Sequence, residues 1–170
     1  MSLKFAILTV SDRSAAGTRE DLSGPALGEA VEQAGWTVSA TAIVPDDFQQ
    51  IVDQLKNWAD SGELQVILTT GGTGFSPRDI TPEATQAVLD RPAPGLAEAM
   101  RSGSLKITPH AMLSRAAAGI RKTTLIINLP GSPKGALENF RIAAPVLPHA
   151  VQLLENDDRA EANHRPGRAI

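Results

Sequence analysis

Apolar residues recur in two different rhythms along this 170-residue chain, and the alternation between the rhythms predicts its fold. Leu3 to Val10 is apolar on both faces, as a strand is when helices cover both sides of a parallel sheet. Past Ser23-Gly24-Pro25, the apolar positions Leu27, Val31 and Ala34 come at helical spacing, and Gly35 supplies the stop. Trp36 to Val44 returns as a strand. Beyond the Pro45-Asp46-Asp47 turn, Phe48, Ile51, Val52, Leu55 and Trp58 fall on one helical face, which Ser61-Gly62 closes before the buried strand "LQVILTT". Three strands separated by two helices make two βαβ units. They predict an α/β fold, a doubly wound three-layer sandwich with a mostly parallel central sheet.

Downstream, Thr81 reads as an N-cap with Pro82 at the first helical position, predicting a helix to about Asp90. After Pro92 and Pro94 a further helix runs through Leu96 and Met100, whereas Ala111 to Gly119 follows neither rhythm. Lys122 to Leu129 predicts another buried strand, Pro133 onward a helix, and Val146 to Leu154 a last helix disturbed by Pro145 and Pro148. No linker divides the chain, so residues 1–155 are expected to form one domain. The polar, aperiodic residues 156–170 are expected to be a mobile tail.

Composition narrows the function classes. A net charge of −3 without a run of Lys or Arg gives no basis for nucleic-acid or anionic-membrane binding. The absence of cysteine excludes disulfides, thiolate metal sites and cysteine nucleophiles. No segment approaches a membrane span, the N-terminus reads as a strand and not a signal peptide, and a cytoplasmic protein is the simplest expectation. His110, His149 and His164 lack metal-site spacing, and Trp36, Trp58 and Phe48 sit at core-like positions.

The residues with chemical potential follow predicted strands four times: Ser11-Asp12-Arg13, Asp46-Asp47, Gly71-Gly72-Thr73-Gly74, and Pro130-Gly131-Ser132 with Lys134. In an open α/β sheet the carboxyl ends of parallel strands share one edge, where ligands bind, so these loops are predicted to face one site. The glycine loop is either a turn or a nest of amides for an anion. Asp79, with Arg78 beside it, caps backbone amides or pairs with an arginine, and Asp46 and Asp47 are helix-start acids, or else Asp79 joins Asp46 in holding Mg²⁺, an ion commonly bound by one or two carboxylates plus phosphates. Ser132 is either an N-cap or a phosphate contact, and Lys134 lies in a first helical turn, where a bound phosphate would favour a cation.

Taken together, "VSDR", "VPDD", "LTTGGTGFSPRDITPEAT" and "LSRAAAGIRKTTLIINLPGSPKG" resemble the MogA/MoaB family of molybdenum-cofactor biosynthesis proteins, related to the G domains of gephyrin and plant molybdenum insertase. The likeness covers about residues 4–155. It implies a homotrimer that binds molybdopterin and, in the MogA branch, transfers AMP from ATP to the molybdopterin phosphate with Mg²⁺, releasing pyrophosphate. On this resemblance Asp46 and Asp79 match the family's two essential aspartates. Ser11, Asp12, Gly71, Gly72, Thr73, Gly74, Arg78, Pro130, Gly131, Ser132 and Lys134 fall in its substrate loops. The length resembles the free-standing bacterial protein, with hand-over of product to a molybdenum-insertion protein. Two other roles stay open: pterin binding without transfer, as in a MoaB-like protein, and a scaffold that passes pterin on.

Overall fold

The computed structural model describes residues 2–155; the expected mobile tail, with His164, lies outside them. β1 (Lys4–Val10) is followed by a helical turn, α1 (Asp12–Ala15), by α2 (Ser23–Gln33) and by β2 (Thr37–Val44). Next come α3 (Phe48–Asp60), β3 (Val66–Thr70) and α4 (Thr81–Gln86). The two-residue β4 (Arg91–Pro92) and α5 (Pro94–Leu105) precede a 3₁₀ turn at Pro109–Leu113. β5 (Ala118–Arg121), β6 (Thr124–Leu129), α6 (Pro133–Ala143) and α7 (Leu147–Leu154) complete the chain.

One six-stranded sheet runs in the order β2-β1-β3-β6-β5-β4. β2, β1, β3 and β6 are mutually parallel, while β5 and β4 form antiparallel pairs at the other edge. From β1 the chain steps outward to β2 through α2, then returns across β1 to β3 through α3. The strand order therefore reverses between β1 and β3, the position where a crevice opens in doubly wound sheets.

Alternation along the strands separates two cores. Phe5 and Ile7 of β1 join Leu68, Ile127, Leu27 and Phe140 on one face, whereas Ala6 and Leu8 join Ile67, Ile126, Ile51 and Leu55 on the other. Helices cover both faces, giving the three layers that the doubly apolar strands require. Trp36 stacks on Phe5 with ring centroids 5.2 Å apart, and Phe140 meets both rings edge-on. Full burial of one such ring contributes about 1.5–3 kcal/mol. Among the described residues no helix is long and apolar enough to cross a membrane.

Several local expectations need correction. Thr81 does not cap its helix: Ile80 is the N-cap, Thr81 is already helical, and the element ends at Gln86 instead of near Asp90. The aperiodic stretch begins in the 3₁₀ turn, while its end, Ala118 and Gly119, and the expected strand from Lys122 form a tight β5–β6 hairpin. Its turn, Arg121 to Thr124, places Lys122 at φ 52°, and no glycine, proline or asparagine there announces the reversal. Arg121 and Lys122 both pair with Asp60, holding that carboxyl down to about 2 and tying the hairpin to the end of α3. Phe48 is exposed, because α3 begins at the sheet's carboxyl edge and only its later turns lie over the strands. Pro145 and Pro148 do not interrupt the last helix; they sit in the 3₁₀ turn and the first turn of α7.

Candidate functional site

All four strand-end loops converge on the carboxyl edge of the parallel strands. They line a cavity of about 450 Å³ that contains Ser11, Asp12, Asp46, Gly71, Gly72, Arg78, Asp79, Gly131 and Ser132. Ser11 caps α1 by accepting from the Ser14 amide at 3.2 Å, which orients the residue that follows. The Asp12 amide donates to Asp46 Oδ2 at 2.9 Å, and the Asp46 amide donates to Asp12 Oδ1 at 3.0 Å. Each aspartate thus fixes the other's backbone, and the ends of neighbouring β1 and β2 are locked together.

The carboxylates differ in their surroundings. The Arg78 guanidinium, with Nε and Nη2 each 2.9 Å from Asp12, holds the Asp12 carboxyl below its ordinary value, assisted by the Asp46 amide. Burial pushes the Asp46 carboxyl up, and the charges of Asp12 and Asp79 push the same way against the Asp12 amide and Arg78. Asp79 Oδ2 accepts from the Ser76 amide at 3.0 Å. Hydrogen bonds from the chain occupy Asp46 Oδ2 and Asp79 Oδ2, leaving the other oxygen of each carboxylate without a partner among the described residues.

Two desolvated or constrained carboxylates with free oxygens, repelling across one cavity, are a donor set that a hard divalent cation such as Mg²⁺ fits. Among the described residues no group of three or more His, Cys, Asp or Glu is placed to hold a metal, so phosphate and water oxygens would have to complete the shell.

The glycine loop is a partition and not a simple floor. Gly71 and Gly72 have φ of 102° and 65° and face the acidic cavity. A Cβ on Gly71 would strike the Val10 carbonyl, and one on Gly72 would strike the Thr81 hydroxyl and come 3.1 Å from Asp46 Oδ1. Thr73, Gly74 and Pro130 instead line a second cavity of about 270 Å³, bounded by Arg101, Ser104, Ser114 and Asn139. Ser132 borders both cavities. Its Oγ also caps α6 by accepting from the Gly135 amide at 3.1 Å, so the N-cap and site readings describe one side chain. Lys134 lines neither cavity; it is exposed, with Nζ 3.8 Å from Glu138.

Sequence reading missed the second cavity. Asn139 lies on the apolar stripe of α6 between Ala136, Phe140 and Ala143, and a polar residue on a buried stripe was the available signal. Its Nδ2 donates to Ser104 Oγ at 3.1 Å and to the Gly135 carbonyl at 2.8 Å. Oδ1 is left without a donor among the described residues. His110, one of the histidines without metal-site spacing, is exposed on the rim of this cavity. Asp21, also missed, reaches the acidic cavity, where it accepts from Thr9 Oγ1 at 2.6 Å and the Gly24 amide at 3.0 Å.

A doubly wound sheet with paired cavities at its strand ends, one of them lined by carboxylates, belongs to the class of proteins that carry small-molecule sites at the carboxyl edge of the sheet. Residues 6–149 match the family described as "Probable molybdopterin binding domain", and the chain belongs to that family of MogA/MoaB molybdenum-cofactor biosynthesis proteins. The chain is 41% identical over 157 residues to the molybdopterin adenylyltransferase of Helicobacter pylori, covering 90% of this chain and 88% of that protein. The molybdenum cofactor synthesis protein cinnamon of Drosophila melanogaster is 45% identical over 160 residues, 92% of this chain and 26% of the fly protein. The chain thus spans about a quarter of that relative's length. The crystal structure of the molybdopterin biosynthesis enzyme MoaB from Thermus thermophilus superposes with a TM-score of 0.86 at 50% identity, covering 91% of this chain and 98% of that one.

Proposed function

We propose that this chain is a molybdopterin adenylyltransferase that joins AMP from ATP to the molybdopterin phosphate and releases pyrophosphate. The observation that carries the proposal is the shared border of two unlike cavities at Ser132 and the glycine loop. On this reading the acidic cavity takes the triphosphate and the second takes the pterin, whose N–H edge suits the unpaired Asn139 Oδ1 and the Glu138 carboxylate. The bacterial relatives from Helicobacter pylori and Escherichia coli, both named molybdopterin adenylyltransferase, support the same assignment.

An oxygen of the molybdopterin phosphate attacks the α-phosphorus of ATP, the bond to the bridging oxygen breaks, and its electrons leave with pyrophosphate. Such a transfer depends on positioning and charge neutralisation more than on covalent work by the protein. Asp46 and Asp79 would hold Mg²⁺, which when bound supplies positive charge to the triphosphate. Ser132 and the amides around it orient the incoming phosphate. No general base is needed, because a phosphate is already ionised near neutral pH.

Pyrophosphate release with ATP, Mg²⁺ and molybdopterin tests this directly. The parent chain should turn over, and Asp79→Asn should lose at least roughly a hundredfold while remaining folded; unchanged turnover in that variant would remove Asp79 from the mechanism. The 50% identity to the Thermus MoaB protein favours a second reading, pterin binding without transfer. Tight pterin binding with no pyrophosphate from the parent chain selects it. The adenylyltransferase reading carries with it a cytoplasmic homotrimer that hands its product to a molybdenum-insertion protein, and light scattering checks the trimer.

A further inference from the structure

The geometry points to Arg115 as a positioning residue that holds the Asp79 loop and the cavity partition in place, an inference that rests on the adenylyltransferase reading for its effect on catalysis. Arg115 Nε donates to the Gly74 carbonyl at 2.7 Å, Nη2 donates to the Asp79 carbonyl at 2.7 Å, and its own amide donates to the Thr73 carbonyl at 2.9 Å. Nη1 pairs with Glu83 in α4. One planar guanidinium therefore spans both ends of the segment 74–79.

Little else anchors that segment. Among the described residues, its other tie to the rest of the chain between Thr73 and Asp79 is the exposed pair of Arg78 with Asp12. Phe75 to Arg78 are all exposed, and the bonds from the Ser76 amide to Asp79 and from the Asp79 amide to Ser76 are internal to the loop. Such a segment opens easily unless it is held from outside.

Arg115 lines neither cavity, so it acts on ligands only through what it holds. Its chain neighbour Ser114 borders the second cavity, while Asp79 borders the acidic one. The arginine thus mechanically joins the wall of one cavity to the carboxylate of the other. Lysine cannot replace it, because a single ammonium does not present a rigid fork to two carbonyls.

The test compares Arg115→Lys with Glu83→Gln, each in the full chain. In the unliganded protein, Arg115→Lys should raise amide exchange at Ser76 and Asp79 about tenfold, with strand amides unchanged. In turnover, kcat should fall roughly ten- to a hundredfold and the Mg²⁺ needed for half-activation should rise several-fold, with KM for ATP within about threefold. Glu83→Gln removes the ion pair but spares both carbonyl bonds. It should lower the melting temperature by less than Arg115→Lys and leave exchange and kcat within about twofold. Unchanged loop exchange in Arg115→Lys, or a Glu83→Gln variant with the same loss of kcat, overturns the inference. A parent chain that releases no pyrophosphate defeats the adenylyltransferase reading alone, and raised exchange at Ser76 and Asp79 then still supports the positioning role.

Discussion

The two cavities lie on opposite sides of the same glycine loop and are built on opposite principles. In the acidic cavity, Asp12 and Asp46 are cross-braced by each other's amides while Arg78 neutralises Asp12, so negative charge is fixed in place and only partly compensated. In the second, Arg101 and Glu138 stand at the boundary, and neutral amides and hydroxyls such as Asn139 and Ser104 satisfy one another and leave single acceptor positions open. Charge held at a cost to the empty protein suits a cation with a polyanion. Paired neutral groups suit discrimination among uncharged ring edges.

Removing the buried polar network of β6 should have the largest effect. Asn128, wholly buried in β6, donates through Nδ2 to Thr69 at 2.9 Å and Thr85 at 2.8 Å, and its Oδ1 accepts from the Ala117 amide at 3.1 Å. Asn128→Leu strands those three groups and should lower stability by about 2–4 kcal/mol in urea unfolding. A loss below about 1 kcal/mol would mean that water replaces the network.

A smaller effect should separate the cavities. Asn139→Leu should weaken pterin binding roughly tenfold in calorimetry while Mg²⁺–ATP affinity stays within about twofold, since one open acceptor is removed from one side only. Equal weakening of both ligands would erase the distinction.

The smallest effect has a defined sign. Because burial raises the folded Asp46 carboxyl above its ordinary 3.8, its contribution to stability is complete below 3.8 and is lost as pH rises through the folded value. Asp46→Asn keeps the neutral form at all pH values. Without ligands, the variant should melt about 1–3 °C above the parent near neutral pH, with the gap closing below the ordinary carboxylate value. A variant that melts lower would show that the carboxylate's bond to the Asp12 amide outweighs its desolvation.

Much of the fold was legible because the strands are short, doubly apolar and separated by helices of clear period. The same logic located Asp46 and Asp79, since residues that follow parallel strands must share an edge. Apart from Asp21, what escaped lay off that edge. Asn139 and Ser104 reach their cavity from helix sides, and no spacing in the chain announces that α5 and α6 pack together there. Arg115 stood inside a recognisable motif, but its partners at Gly74, Asp79 and Glu83 are distant in sequence and two of them are carbonyls, which any residue supplies. Thr81 read as a cap because Thr-Pro commonly starts a helix; the structure instead turns its amide toward the Gly72 carbonyl at 3.1 Å and buries its hydroxyl without a partner among the described residues.

Beside Ser132, where the strand ends wall the acidic cavity, the chain presents almost no side chains. A Cβ on Gly131 would stand 3.2 Å from the Gly71 Cα, and Gly71 itself abuts the Val10 carbonyl, so three strand ends touch there through bare peptide. A wall made of main chain offers no side-chain alphabet for mutation to explore. New preferences for nucleobase or ring system would have to be selected from the outer rims, among positions such as Asp21 or His110, while the junction passes unaltered from one specificity to the next.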